Sequence, residues 1–128
     1  MRSLTHRGFW LTIGVALVVT VILLTLWPRQ DGPVPEVLAD KTGHVIAYFV
    51  LVVWFAGLFP RSHHLMFGAG FFAMGVGLEW LQGFMDARVS DVLDMVANAG
   101  GAVMGLVVAR LGLDGWCQWV ENLIGKGQ

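Results

Sequence analysis

Between Glu79 and Gly105 the chain reads EWLQGFMDARVSDVLDMVANAGGAVMG, setting carboxylates and amides within sequence otherwise apolar enough to lie in lipid. Such side chains are costly at membrane depth, so they face a bundle interior or a cavity and mark function. The stretch therefore demands a helical frame that shields polar groups, and it locates the chemistry within that frame. Composition agrees. The 128 residues are 56% hydrophobic and only 13% charged, with a mean hydropathy of +0.69, whereas soluble domains carry roughly a quarter charged residues. A net charge of -1 excludes the basic face that nucleic acid requires. A single cysteine, Cys117, excludes an internal disulfide and a Cys-based metal site, and neither metal nor cofactor is expected.

The spacing predicts an all-α membrane protein: four transmembrane helices in one domain over residues 1–128, closed by a short interfacial helix. Residues 9–27 hold no charge and carry Trp10 and Trp27 near their ends, suiting a first span with both indoles at the interfaces. A signal peptide is the rival reading. The apolar run is too long for one and no small-x-small site precedes Pro28, so an uncleaved span is expected. Residues 28–40 contain three of the four prolines and read as a loop. The second span is 43–59, and the short link Pro60–His64 makes the third, 65–81, its antiparallel neighbour. Four glycines in that third span (Gly68, Gly70, Gly75, Gly77) permit close helix contact. The fourth span, 92–111, repeats Ala97, Gly101, Gly105 and Ala109 every four residues, a stripe read as packing within the monomer. Residues 114–125 are amphipathic: Trp116, Trp119, Val120, Leu123 and Ile124 against Gln118, Glu121 and Asn122. This helix lies on the membrane surface or docks on a partner, with Asp114 as a candidate cap.

Five basic residues (Arg2, Arg7, Arg61, Arg110, Lys126) against three (Arg29, Lys41, Arg88) favour an N-in, C-in orientation. Polar residues from three spans then meet in the outer half of the bilayer. Asp40, Lys41 and His44 start span two, with Tyr48 a turn deeper; Glu79 and Gln82 share a face of span three; Asp91, Asp94 and Asn98 share a face of span four. Taken singly, many have ordinary roles. Asp40 and Asp91 suit helix caps, with Asp94 in a capping arrangement, and Lys41 and Arg88 can snorkel. His63 and His64 read as solvated in their loop, and Met66, Met74, Met95 and Met104 as core filler. Glu79 and Asn98 resist such readings best, because a glutamate that deep needs a partner, a proton or a cavity. A purely structural hydrogen-bond network between helices stays open beside a ligand pocket.

The run Asp40-Lys41-x-x-His44, then Glu79-x-x-Gln82, then Arg88 with Asp94-x-x-x-Asn98-x-x-Gly101-x-x-x-Gly105, resembles the VanZ-like family of small bacterial membrane proteins over residues 40–109. The resemblance implies a bacterial inner-membrane location and carries Asp40, Lys41, His44, Glu79, Gln82, Arg88, Asp94 and Asn98 over as site residues. Asp91 and Tyr48 join them on geometry alone. The family's namesake is associated with low-level resistance to teicoplanin, and this chain is the bare module, so resistance itself is not implied.

Three functions follow as expectations. The first is a pocket binding a membrane lipid headgroup or a lipid-linked envelope precursor, cations holding phosphate and amides and acids holding sugar or amine groups. The second is a membrane-surface hydrolase or transferase on lipid phosphate, with His44, Glu79 and Asp94 as candidate catalytic groups. No nucleophile elbow, HExxH or P-loop supports that enzyme. The third is a small transporter, which at four spans would need a homo-oligomer or a membrane protein partner.

Overall fold

The computed structural model describes residues 3–26, 41–84 and 92–126. These form five α-helices and no strand: α1 Arg7–Leu26, α2 Lys41–Leu58, α3 His64–Gln82, α4 Val92–Arg110 and α5 Trp116–Lys126. One 3-10 turn, Arg61–His63, links α2 to α3, and another, Leu113–Gly115, leads into α5. By length and composition α1, α4 and the stretch Arg61–Gln82 containing α3 are long and apolar enough to cross a membrane. The apolar part of α2, Thr42–Leu58, is shorter.

That shorter helix is the axis of the bundle. Tyr48, Leu51, Val52, Phe55, Ala56 and Leu58 are all buried on α2, which makes its most extensive contact with α4. The approach depends on glycine. A Cβ at Gly101 would run into the backbone carbonyl of Val45, and one at Gly105 would sit 2.9 Å from Val52 Cβ and 3.1 Å from the Phe49 carbonyl oxygen. On α3, Gly68 admits Leu106 and Gly75 admits Asn98 and Tyr48, whereas Gly70 and Gly77 face open space. Only half of the α3 glycines therefore serve close contact, those on the side turned inward.

Aromatic rings fill the rest. Phe55, Phe67 and Phe71 join α2 to α3, with Phe55–Phe67 centroids 5.1 Å apart. Trp10, Trp54 and Trp116 join α1, α2 and α5, with Trp54–Trp116 at 4.6 Å. Trp10 is thus a buried packing residue rather than an interfacial anchor; Trp27 lies outside the described residues. The outside of the bundle is apolar instead: Val15, Val19 and Leu23 on α1, Phe72 and Trp80 on α3, and Val96, Val103 and Val107 on α4 are exposed. Met66 and Met104 join this outer surface, more than half exposed, so neither is core filler; Met74 does pack on the core. The exposed hydroxyls of Thr12 and Thr20 donate 2.7 Å bonds to the carbonyls of Gly8 and Ala16 a turn back, which removes bare polar groups from that surface.

At one end of the bundle, polar groups finish the helices. Gly112, at φ +137°, takes a backbone conformation that side chains disfavour, and it turns the chain out of α4. His64, expected in solvent, is buried at the start of α3, and its Nε2 donates to the carbonyl oxygens of Ala56 and Phe59, both at 3.1 Å. The last carbonyls of a helix lack intrahelical donors, and this imidazole supplies one. His63 is exposed, as read from the sequence. Asp114 is buried, and its carboxylate accepts from Arg61 Nε.

Glu121 departs most from the sequence pattern. Placed on the polar side of α5, it turns inward and accepts from the backbone amides of Thr5 (2.7 Å) and His6 (2.8 Å) and from Trp10 Nε1 (2.8 Å). It closes the amide-rich start of α1 from another helix, a capping role that outweighs its hydrophilicity. Trp116, Cys117 and Val120 follow it inward, while Trp119, Leu123 and Ile124 stay exposed. The apolar face of α5 is divided between its own protein and its surroundings.

Candidate functional site

The opposite end of the bundle gathers side chains rather than closing helix ends. His44 and Tyr48 come from the first two turns of α2, Glu79 and Gln82 from the last turn of α3, and Asp94 and Asn98 from the first two turns of α4. Antiparallel neighbours bring these termini to the same level, and the i, i+3 and i, i+4 spacings turn each pair to one side of its helix. Five of the six are buried, Tyr48, Glu79, Gln82, Asp94 and Asn98 each exposing 5% or less, and His44 is partly buried.

Asn98 is the hub. Its Oδ1 accepts a 2.9 Å hydrogen bond from His44 Nδ1, and its Nδ2 lies over Gly75 beside the Tyr48 hydroxyl. A Cβ at Gly75 would lie 2.7 Å from that nitrogen and 2.9 Å from that oxygen, so the bare glycine is the floor on which amide and phenol meet. With the Nδ1 proton committed to Asn98, the remaining ring nitrogen of His44, Nε2, faces Asp94 Oδ2 at 3.8 Å. Glu79 lies within electrostatic reach of Tyr48. Gln82 points its Nε2 at the Thr25 carbonyl near the end of α1, drawing the fourth helix onto the cluster. That bond fixes the amide orientation, because a carbonyl accepts only from nitrogen. Gln82 Oε1 is then left buried, with no hydrogen-bond partner among the described residues.

Of the residues singled out in the sequence, the structure thus brings together His44, Tyr48, Glu79, Gln82, Asp94 and Asn98. Asp40, Arg88 and Asp91 lie outside the described residues, and Lys41 is described only as the first residue of α2. Among the described residues, no group of three or more His, Cys, Asp or Glu side chains could hold a metal ion. Two participants escaped the sequence reading. Gly75 precedes Glu79 by four and Gln82 by seven residues, so its place on the polar face was there to be read from helical periodicity. The Thr25 carbonyl was not, since a backbone group carries no sequence signal.

No family model matches the chain. It is similar to an uncharacterized protein of the fission yeast Schizosaccharomyces pombe, 25% identical over 99 residues that cover 73% of this chain and 60% of that protein. The chain therefore spans about 60% of that relative's length. No solved structure matches.

Proposed function

We propose that the chain is an integral membrane protein, a four-span bundle of the VanZ-like kind, whose buried polar end binds the headgroup of a membrane lipid or lipid-linked envelope precursor. The observation that carries the reading is the Gln82 acceptor, fully buried at the polar end of the bundle and without a hydrogen-bond partner among the described residues. Leaving such an atom unpaired costs about 1–3 kcal/mol, which a ligand amine or hydroxyl donating to it would return. The exposed apolar belt supports the membrane setting, because soluble monomers rarely expose so much contiguous apolar surface. The VanZ-like resemblance supports the bacterial inner membrane, and the count of basic residues supports N-in, C-in, with the polar end toward the outer leaflet. In that frame the sequence offers Lys41 and Arg88 as the cations for a phosphate.

The test is native mass spectrometry of the purified protein with its co-extracted lipids, wild type beside Gln82→Ala and Glu79→Gln. A defined lipid or lipid-linked sugar held by wild type and lost from both variants is the expected result. Equal, unselective retention in all three would leave a structural network and end the pocket reading.

The His44–Asp94 pair favours a second reading, a hydrolase or transferase on lipid phosphate with His44 Nε2 as the proton acceptor. It separates from binding by one variant: His44→Ala should abolish turnover of a lipid phosphate while the bundle stays folded.

A further inference from the structure

Far from the polar cluster, where α3 begins and α4 ends, the surface holds a groove of about 320 Å³ lined by Leu65, Leu106, Val107, Arg110 and Leu111. Four of the five lining residues are aliphatic, and Leu65 and Leu111 are among the most exposed of the molecule, at 69% and 82%. Arg110 is the last residue of α4. Arg61 is spent elsewhere: its guanidinium is ion-paired with Asp114 through Nε and reaches the Arg110 backbone carbonyl oxygen through Nη2 at 3.4 Å. The groove is therefore an aliphatic slot with the Arg110 cation at its rim.

We propose that this groove is a binding site for an anionic glycerophospholipid, its acyl chain in the slot and its phosphate at Arg110. The occupant follows from position and charge. If α4 crosses the membrane, its final arginine stands at headgroup level, with the aliphatic walls of Leu106 and Val107 a turn deeper in the hydrocarbon. A guanidinium matches phosphate oxygens by a two-pronged contact. Each cation near the surface favours an anionic over a neutral lipid by about 1 kcal/mol, or about fivefold. A neutral lipid would fill the slot and leave the rim unused; a soluble anion would use the rim and leave the slot bare. This inference rests on the membrane reading above and is independent of the polar cluster.

The experiment reconstitutes the full chain in nanodiscs of equal phosphatidylcholine and phosphatidylglycerol and identifies retained lipids by native mass spectrometry. Wild type should hold phosphatidylglycerol in at least about fivefold preference. Arg110→Gln should reduce that preference several-fold while a lipid is still retained, and Val107→Trp, which fills the slot from an exposed position, should release the lipid altogether. Both substitutions are on the surface, so the fold is not at stake. Retention without preference in wild type, or the same preference in both variants, overturns the site. Alkaline extraction of the membranes separates the two readings: a chain released by it overturns the spanning reading and this site together, whereas a retained chain with unselective lipid overturns the site alone.

Discussion

The two ends of this bundle use polar residues in opposite ways. At the α5 end, side chains answer the backbone: Glu121 takes the amides before α1, His64 takes carbonyls at the end of α2, and the indoles of Trp54 and Trp116 donate to the carbonyls of Trp10 and Val53. At the other end, side chains mostly answer one another, with His44, Asn98 and Asp94 in contact and Tyr48 and Glu79 beside them, although Gln82 donates to the Thr25 backbone carbonyl. Among the described residues each end leaves one buried atom without a partner, His64 Nδ1 and Gln82 Oε1. The first is the spare lone pair of an imidazole whose proton is committed to capping. The second is an amide oxygen at the polar end, the atom on which the proposed ligand site rests. Polar residues that close helix ends explain stability; those that converge side chain on side chain call for another purpose.

Two glycines give the largest effect and probe the difference directly. A Cβ at Gly101 meets the Val45 backbone beside His44, and backbone at a helix crossing cannot yield. At Gly57 the obstacle is the Trp116 indole, a side chain that can swing away with α5. Gly101→Ala should therefore cost about 3 kcal/mol or more in detergent unfolding and disturb the polar end. Gly57→Ala should cost less and detach α5 while leaving ligand retention intact. Gly70→Ala, with open space around it, is the control and should stay within about 0.5 kcal/mol. Equal losses for Gly101 and Gly57 would mean the two ends are one cooperative unit.

Next in size is the hub. Asn98→Ala strips His44 of its acceptor and should cost about 1–3 kcal/mol. A double-mutant cycle with His44→Ala should return a coupling of only about 0.6 kcal/mol, the common value for interhelical hydrogen bonds in membranes. Lipid or substrate retention should fall far more steeply than that coupling implies. Were stability to fall and retention to persist, the polar end would be a brace like its opposite.

How much of this was legible beforehand divides along the same line. Helix positions followed from apolar length, and the inward face of α3 and α4 followed from spacing, because Asp94 with Asn98, and Glu79 with Gln82, recur at helical intervals. The polar cluster is built from side chains, so the sequence carries it. The α5 end is built on side-chain-to-backbone bonds over long separations, 115 residues in the case of Glu121 and His6. Amphipathicity gave no hint that Glu121 would turn inward, since a carboxylate pattern is the same whether it meets water or a set of free amides. His64 was misread for the same reason.

The smallest predicted effect tests that hidden contact. Burial pushes the Glu121 carboxyl up, but the amides of His6 and Thr5, the Trp10 indole and the neighbouring His6 ring together hold it below the ordinary carboxylate value. A depressed folded value means the contribution is complete above about pH 4.3 and is lost as pH falls through the lower, folded value. Tryptophan fluorescence of the Trp10–Trp54–Trp116 cluster should therefore stay constant from neutral pH down to that point and change only below it. At neutral pH, Glu121→Gln should cost about 1 kcal/mol, the usual worth of a helix cap. Cys117 offers the readout: it is fully buried one turn before Glu121, and burial, then the nearby Glu121 charge, push its thiol up to about 11. Alkylation at pH 8 must then proceed through the detached state of α5, so its rate follows the population of that state. The substitution should speed labelling roughly fivefold, the population change that 1 kcal/mol produces. The lipids held at the polar end should not change, because the contacts of α5 to Thr5, His6, Trp10, Val53 and Trp54 lie at the opposite end. Unchanged labelling would show that the aromatic cluster alone docks the helix and that the carboxylate is incidental to it.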